Sequence, residues 1–349
     1  MIARNMMPMV GQVVVDMTEL LPGPYATLLM RQMGATVIKV EKPGGDAARG
    51  VSPGMFRALN TGKQHFELNL KRADGRQQMD DILRTADVLI EGFRPGVLDR
   101  LGLAPSRLLA LNTQLLVVSL TGYGQTGTLR DQPGHDINYA ALTGLAAISG
   151  CDNEAPSYDS GLPLADLAGA MFAVNAVLGG LLDRKTTKRG GHLDVSITDC
   201  LLHWMSARIG ARQHVPEMNA MQFKRHLHSR PSYGFFRASC GRWLALGALE
   251  TQFWKRLVDA MELREFADSA FDAFDHRCEQ QRTIECALRA RFETRDLDHW
   301  VDTLRRIGVP VTPVNDIDAA LSDPHFAARG MIDKRGDVQF PIMYVGPHP

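Results

Sequence analysis

The sequence carries no net charge: 39 lysines and arginines stand against 39 aspartates and glutamates in 349 residues. That balance excludes a surface built to wrap a nucleic acid or coat an anionic membrane. Cysteine is scarce as well. The five present (Cys151, Cys200, Cys240, Cys278 and Cys286) are odd in number and share no C-x-x-C spacing. They offer neither a zinc site nor a disulfide framework, and they suit a reducing compartment. No Walker loop, H-E-x-x-H or G-x-S-x-G occurs, so the usual signatures of phosphate cradling, zinc hydrolysis and the serine elbow are missing. Residues 1–9 have no apolar leader segment, and internal repeats and low-complexity tracts are lacking. A cytoplasmic protein is the expectation, without a metal site, a nucleic-acid partner or a membrane partner.

What is present is an ordinary supply of apolar residues, 45% against 22% charged. That supports about two domains whose cores need no staples. Short apolar runs at 13–15, 36–40, 66–70, 88–90 and 115–120 read as strands, with helices at 25–33, 75–85 and 105–111 between them. Continuous apolar strands separated by helices predict a parallel sheet covered on both faces, an α/β fold with a Rossmann-like large domain. Helices follow at 136–148, 163–183 and 198–209, with one more strand at 193–197. The run 162–182 is apolar over the length of a bilayer span and is broken by Asp166 and Asn175. Its glycines and alanines suit tight packing in a core.

The stretch 210–242 reads as a linker or lid, because it holds Pro216 and Pro231 and lacks periodicity. Between residues 201 and 249 seven basic residues (Arg208, Arg212, Lys224, Arg225, Arg230, Arg237 and Arg242) face only Glu217. A strand at 243–249 and helices at 251–261, 282–293 and 297–307 predict a smaller α+β domain. The expected division is therefore 1–210 completed by 320–349, with linker and small domain at 211–319.

A strand, a turn and a helix at the start of the chain invite a dinucleotide-binding reading. There, however, Pro22-Gly23-Pro24-Tyr25 replaces the glycine fingerprint, and Glu41 reads more simply as a strand-terminal charge than as a ribose ligand. The segment Gly134-His135-Asp136-Ile137-Asn138-Tyr139 carries more information. Asp136 is a candidate N-cap, which sets His135 just outside a helix N-terminus, where the dipole favours a neutral imidazole able to abstract a proton. On spacing alone, a histidine that merely bonds a loop reads more readily. Asp166 falls in the first turn of its helix with Leu164, Ala165, Leu167, Ala168 and Gly169 around it. It reads either as a helix-start acid or as a desolvated carboxylate with a raised pKa.

Several motifs together resemble the family III CoA-transferase superfamily (CaiB/BaiF type). They are Leu21-Pro22-Gly23-Pro24-Tyr25, Val37-Ile38-Lys39-Val40-Glu41-Lys42-Pro43-Gly44-Gly45, Leu68-Asn69-Leu70-Lys71, Ile90-Glu91-Gly92-Phe93-Arg94-Pro95-Gly96 and Thr121-Gly122-Tyr123-Gly124-Gln125-Thr126-Gly127. Pro163-Leu164-Ala165-Asp166 and Gly247-Ala248-Leu249-Glu250-Thr251-Gln252-Phe253-Trp254 complete the set. Gly-His-Asp-Ile-Asn-Tyr and Gly-Ala-Leu-Glu are closest to its α-methylacyl-CoA racemase branch.

The resemblance implies an acyl-CoA substrate, with coenzyme A as part of that substrate and no permanently bound cofactor. It also implies an interlocked homodimer. His135 and Asp166 become the two bases of a racemase acting on 2-methylacyl-CoA, supported by Glu250. Alternatively, Asp166 alone becomes the nucleophile of a CoA-transferase, passing through an aspartyl-CoA thioester. A third reading is a binder of acyl-CoA without turnover. Lys42, Leu68, Asn69, Leu70, Lys71, Gly92, Phe93, Arg94, Arg100, Gly134, Asp136 and Tyr139 fall in the segments implied to hold CoA. Taken singly, each cation among them reads more readily as a solvated surface charge. The chain stops at Val345-Gly346-Pro347-His348-Pro349, where the resemblance leads one to expect a further tail.

Overall fold

The structure, a computed structural model, describes residues 4–150, 156–158 and 160–344. Chain contacts divide it into two units, 1–216 with 330–349, and 217–329. The first is built on a six-stranded sheet. Its order is Gln64–Glu67, Thr36–Glu41, Val13–Met17, Val88–Glu91, Leu116–Thr121, Gly191–Ser196, and every neighbouring pair is parallel.

Strand alternation explains why the apolar runs are continuous. Val14, Val88, Ile90, Leu116, Val118 and Leu120 bury on one face, with the helices Pro22–Gln32 and Leu164–Thr187. Val15, Leu89 and Val117 bury on the other, with Met79, Leu83, Leu98, Leu103 and Leu108. Both faces are covered, so both sets of alternating residues must be apolar.

Several expected bounds shift for identifiable reasons. The third strand is Gln64–Glu67 rather than 66–70, and all four of its residues are exposed at the sheet edge, so no apolar run marks it. The Pro22-Gly23-Pro24 turn is instead the first turn of the helix Pro22–Gln32, where proline's missing N–H costs nothing. Gly23 is required there, because a Cβ would sit 2.2 Å from the Thr18 side chain. The helix expected at 136–148 is two, Asp136–Leu142 and Leu145–Ile148, split at Gly144 with φ 83°. The expected strand at 193–197 is Gly191–Ser196, and the helix at 198–209 is again two, Ile197–Trp204 and Ser206–His214.

The helix Leu164–Thr187 is long and apolar enough to cross a membrane, with mean hydropathy 1.6 over its most apolar window. Its small-residue stripe, Ala165, Ala168, Gly169, Ala170 and Ala173, is buried in the core of the sheet. A Cβ at Gly169 would lie 2.8 Å from Ile197, which shows how closely the backbones approach.

Beneath the C-terminal ends of the strands lies a buried set of charges. The Asp16 carboxylate accepts Lys63 Nζ at 3.0 Å and the Thr18 and Thr27 hydroxyls, while Lys39 pairs with Asp46 at 3.0 Å. Burial pushes the Asp16 carboxyl up, but Lys63 and Lys39 outweigh it and hold the group well below the usual range. Because the folded pKa is depressed, this stabilisation is full above the unfolded carboxylate range and is lost as pH falls below it. Asp16→Ala leaves Lys63 buried without its nearest counter-charge and should cost about 3–5 kcal/mol. The urea midpoint at unchanged slope measures it; a loss below about 1 kcal/mol would contradict the assignment.

The second unit is a three-stranded antiparallel sheet, ordered Val311–Pro313, Trp243–Gly247, Tyr233–Arg237. One face buries Phe236, Leu244, Leu246 and Val311 against Trp254, Leu257, Leu288, Trp300 and Leu304. The helix Leu297–Arg306 shows why it forms. Asp296 caps it by accepting the His299 N–H at 2.8 Å, and Leu297, Trp300, Val301 and Leu304 repeat at helical spacing on its buried side. Each such side chain contributes about 1.5–3 kcal/mol by leaving water.

The stretch 210–242 is not an irregular linker. It contains the helix Ala220–His228, opened by a reciprocal Asn219–Gln222 capping box, and the strand Tyr233–Arg237. Of the cysteines, Cys200, Cys240, Cys278 and Cys286 are free thiols; Cys151 lies outside the described residues.

Candidate active site

In an open parallel sheet, ligands bind beyond the C-terminal strand ends where the strand order reverses. Here that point lies between Val13–Met17 and Val88–Glu91, and two adjoining cavities open there. One, of about 400 Å³, is lined by Val40, Lys42, Leu68, Asn69, Leu70, Lys71 and Leu101. The other, of about 620 Å³, is lined by Leu20, Gly23, Gly92, Arg94, Thr121, Gly122, Gly134, His135, Tyr139 and Asp166. They share Met17, Thr18, Glu19, Lys42, Phe93 and Val97. The smaller carries Lys42 and Lys71 among apolar side chains, and the larger brings a carboxyl and an imidazole together with Lys42 and Arg94.

His135 is the N-cap of the helix Asp136–Leu142, in extended conformation. The expected roles of the two neighbours are therefore shifted by one: Asp136 is the first helical residue, and the cap N–H of His135 is taken by Asn138 Oδ1 at 2.9 Å. Asp136 does not line either cavity. Its carboxylate accepts the Asp166 N–H at 3.0 Å and the Tyr158 hydroxyl, and that hydroxyl in turn accepts the Leu164 N–H at 2.9 Å. One acidic side chain thus ties the helix start bearing His135 to the helix start bearing Asp166.

Asp166 is partly buried, beside Ala165, Ala168 and Gly169. Burial first, and then the Asp136 charge, raise its carboxyl to about 7. The group can therefore hold or release a proton near neutral pH, which a general acid or base requires. Tyr139 closes the floor. Its hydroxyl donates to the Gly134 carbonyl at 2.8 Å, and its ring packs edge-on to Tyr123 at 5.2 Å. Gly122 and Gly134 make room for it, since a Cβ on either would fall within 2.6 Å of the Tyr139 side chain.

The other expected residues fall as follows. Lys42 is exposed and pairs with Glu19 at 2.7 Å; an exposed pair is weak enough to give way to a phosphate. Lys71 is exposed at the rim, with its N–H on Asn69 Oδ1 at 3.1 Å. Arg100 is exposed at the end of the short helix Val97–Arg100 and lines neither cavity. Glu250 belongs to the second unit, as the exposed residue preceding the helix Thr251–Met261. Among the described residues, no cluster of three or more His, Cys, Asp or Glu is placed to hold a metal ion.

Sequence reasoning missed Thr18, Glu19 and Leu20, which line the larger cavity. Leu20 has φ 65°, a conformation costly for a side-chain-bearing residue, and its N–H is held by Asp46 Oδ1 at 3.1 Å. The available signal was position, directly after the first strand at the point where strand order reverses. Glu41, read from sequence as a strand-terminal charge, closes its strand and also lines the smaller cavity. Its carboxylate is occupied by Arg49 Nε and Nη2, both at 2.8 Å, and by the Asp46 N–H at 2.9 Å. Gly122, Gly124 and Gly127 do repeat the dinucleotide spacing after a strand, but the next helix along the chain begins only at Asp136, so the loop does not open directly into a helix as that fingerprint requires.

The chain belongs to CoA-transferase family III, whose family model matches residues 9–347. It is 32% identical to the acetyl-CoA:oxalate CoA-transferase of Acetobacter aceti, over 96% of this chain and 87% of that protein. It is 28% identical to the α-methylacyl-CoA racemase of Homo sapiens, over 93% of this chain and 82% of that protein. A CaiB/BaiF family protein from Brucella suis has the same fold, with TM-score 0.85 and 27% identity, covering 97% of this chain and 93% of that one.

Proposed function

We propose that the protein epimerises the α-carbon of 2-methylacyl-CoA thioesters by proton transfer between two bases, His135 and Asp166. The observation that carries this reading is that an imidazole and a carboxyl poised near neutrality line one cavity. In one direction Asp166, as carboxylate, takes the α-proton; the C–H pair remains as an enolate, and protonated His135 returns a proton to the opposite face. In the reverse direction the roles exchange, and no net proton is consumed. The enolate oxygen is assigned to backbone N–H donors at a helix start, which are fixed in place before the reaction. The smaller cavity, with Lys42 and Lys71, is assigned to the nucleotide end of coenzyme A, which enters as part of the substrate; Glu250 is carried as a supporting acid, and a homodimer as the working form. Incubating a single enantiomer and separating products by chiral chromatography tests the reading: both enantiomers should appear without any acceptor acid.

A second reading is favoured by the similarity to the oxalate transferase. In it, the Asp166 carboxylate attacks the thioester carbonyl and expels CoA thiolate, giving an acyl-aspartyl anhydride; the thiolate then attacks the aspartyl carbonyl, releases the acyl group as its carboxylate, and leaves an aspartyl-CoA thioester, from which CoA passes by the same steps in reverse to a free carboxylic acid. Hydroxylamine added with acyl-CoA alone should then modify Asp166. Under the racemase reading Asp166 stays unmodified.

A further inference from the structure

A second row of polar groups stands beside the reactive cavity without lining it. Glu91, Ser119 and Asp194 lie side by side in register near the C-terminal ends of three adjacent parallel strands. Glu91 and Ser119 are buried, at 2% and 1% exposure. A carboxyl buried to that degree is costly unless its oxygens are satisfied. Glu91 Oε2 accepts the Phe93 N–H at 2.7 Å, and Ser119 stands beside that carboxyl, in register on the adjoining strand, where its hydroxyl favours the ionised form. Ser119 Oγ also meets His192 Nε2 at 2.8 Å, and His192 is exposed. Glu91, Ser119 and His192 therefore stand in a row that leads from a buried carboxyl to solvent. Its inner end holds the Phe93 N–H; Gly92, Phe93 and Arg94 line the larger cavity, and Phe93 lines both.

We propose that Glu91 is a positioning residue for the thioester-binding wall, that its carboxylate holds the Gly92–Phe93–Arg94 segment through the Phe93 N–H, and that Ser119 and His192 carry the proton that releases this hold. The inference rests on the reading of these cavities as an acyl-CoA site. A backbone N–H bound to a carboxylate makes a bond about twice as strong as one to a neutral acceptor. In the ionised state Ser119 donates to Glu91, and His192 Nε2–H donates to Ser119. When a proton enters from solvent at His192 Nδ1, each bond reverses: Nε2–H passes to Ser119, and the Ser119 proton passes to Glu91. One proton is gained, and Glu91 ends neutral with its O–H on Ser119.

The groups that face this row are consistent with release near neutrality. Burial first, opposed by Ser119 and the Phe93 N–H, with Asp194 two strands away adding to it, raises the Glu91 carboxyl to about 7. His192 is held below its ordinary range by burial, against Asp194 and Asp99, so it relays as a neutral ring. Asp194 is itself engaged by the Gln125 N–H at 2.9 Å. The sign follows: the folded pKa of Glu91 is raised, so the hold is full above about pH 7 and is lost as pH falls below it.

Amide exchange of the Phe93 segment in the protein without substrate, corrected for intrinsic rates, is the direct readout and does not depend on what the substrate is. Protection should fall about tenfold between pH 8 and about pH 6 in the wild type. In Glu91→Gln, which keeps an oxygen acceptor but cannot titrate, protection should be the same at both. The KM for acyl-CoA should follow the same pattern, rising at low pH in the wild type only, while the pH dependence of kcat persists in the variant. Ser119→Ala, which removes the donor that favours the carboxylate, should move the wild-type transition to higher pH and serves if Glu91→Gln folds poorly. Wild-type pH dependence of Phe93 protection in Glu91→Gln, or an unmoved transition in Ser119→Ala, would overturn the proposal. If instead the exchange results hold and no CoA thioester binds, the positioning role stands and the substrate assignment is at fault.

Discussion

Asp166→Asn should lower turnover by about 10²–10⁴-fold while a CoA thioester still binds. The amide fills the same space between Ala165 and Ala168 but can neither take nor return a proton. The pH profile carries the finer test, because burial and then Asp136 place the Asp166 carboxyl at about 7. The direction that begins with Asp166 as base needs the carboxylate, so its rate falls as pH drops below about 7. The opposite direction begins with Asp166 as acid, so its rate falls as pH rises above about 7. A transferase that uses Asp166 as nucleophile shows only the first of these limbs. Initial rates from each enantiomer separately, across pH, distinguish the two, and an Asp166→Asn variant with near-wild-type turnover contradicts both.

His135→Ala should have an effect of similar size on racemisation, about 10²–10⁴-fold, but an asymmetric one. The enantiomer whose α-proton faces Asp166 still surrenders it and recovers a solvent proton on the same face. The other enantiomer loses its base altogether. Exchange without inversion from one enantiomer, and neither process from the other, is the expected signature. A CoA-transferase gives His135 no obligatory role, so under that reading the variant keeps most of its activity.

The parts of the fold legible in sequence are those where burial alone dictates residue type. Val14, Val15, Val88, Leu89 and Ile90 are fully buried, and their continuous apolar character marks a strand covered on both faces. The strand Gln64–Glu67 escapes the same logic, because an exposed edge selects no apolar residue. The helix Ala220–His228 was hidden by its own polarity, although the Asn219–Gln222 box that starts it is a local signal.

The candidate site was legible by motif and not by spacing. His135 and Asp166 begin two helices that share one crossover between neighbouring strands, and nothing within 30 residues of sequence reveals that Asp136 ties them together. Leu20 and Glu19 were silent for a related reason. Their importance comes from the reversal of strand order beneath them, a property of topology that no local window contains.

The central claim is that a proton leaves and returns to the α-carbon. It is tested most directly by incubating a 2-methylacyl-CoA with the enzyme in deuterium oxide and following the α-position by mass or proton resonance. The account predicts that one deuterium enters at that carbon in both enantiomers, at a rate matching or exceeding racemisation, with no acceptor acid present. A thioester that keeps its α-proton while CoA moves to an added carboxylic acid would contradict it.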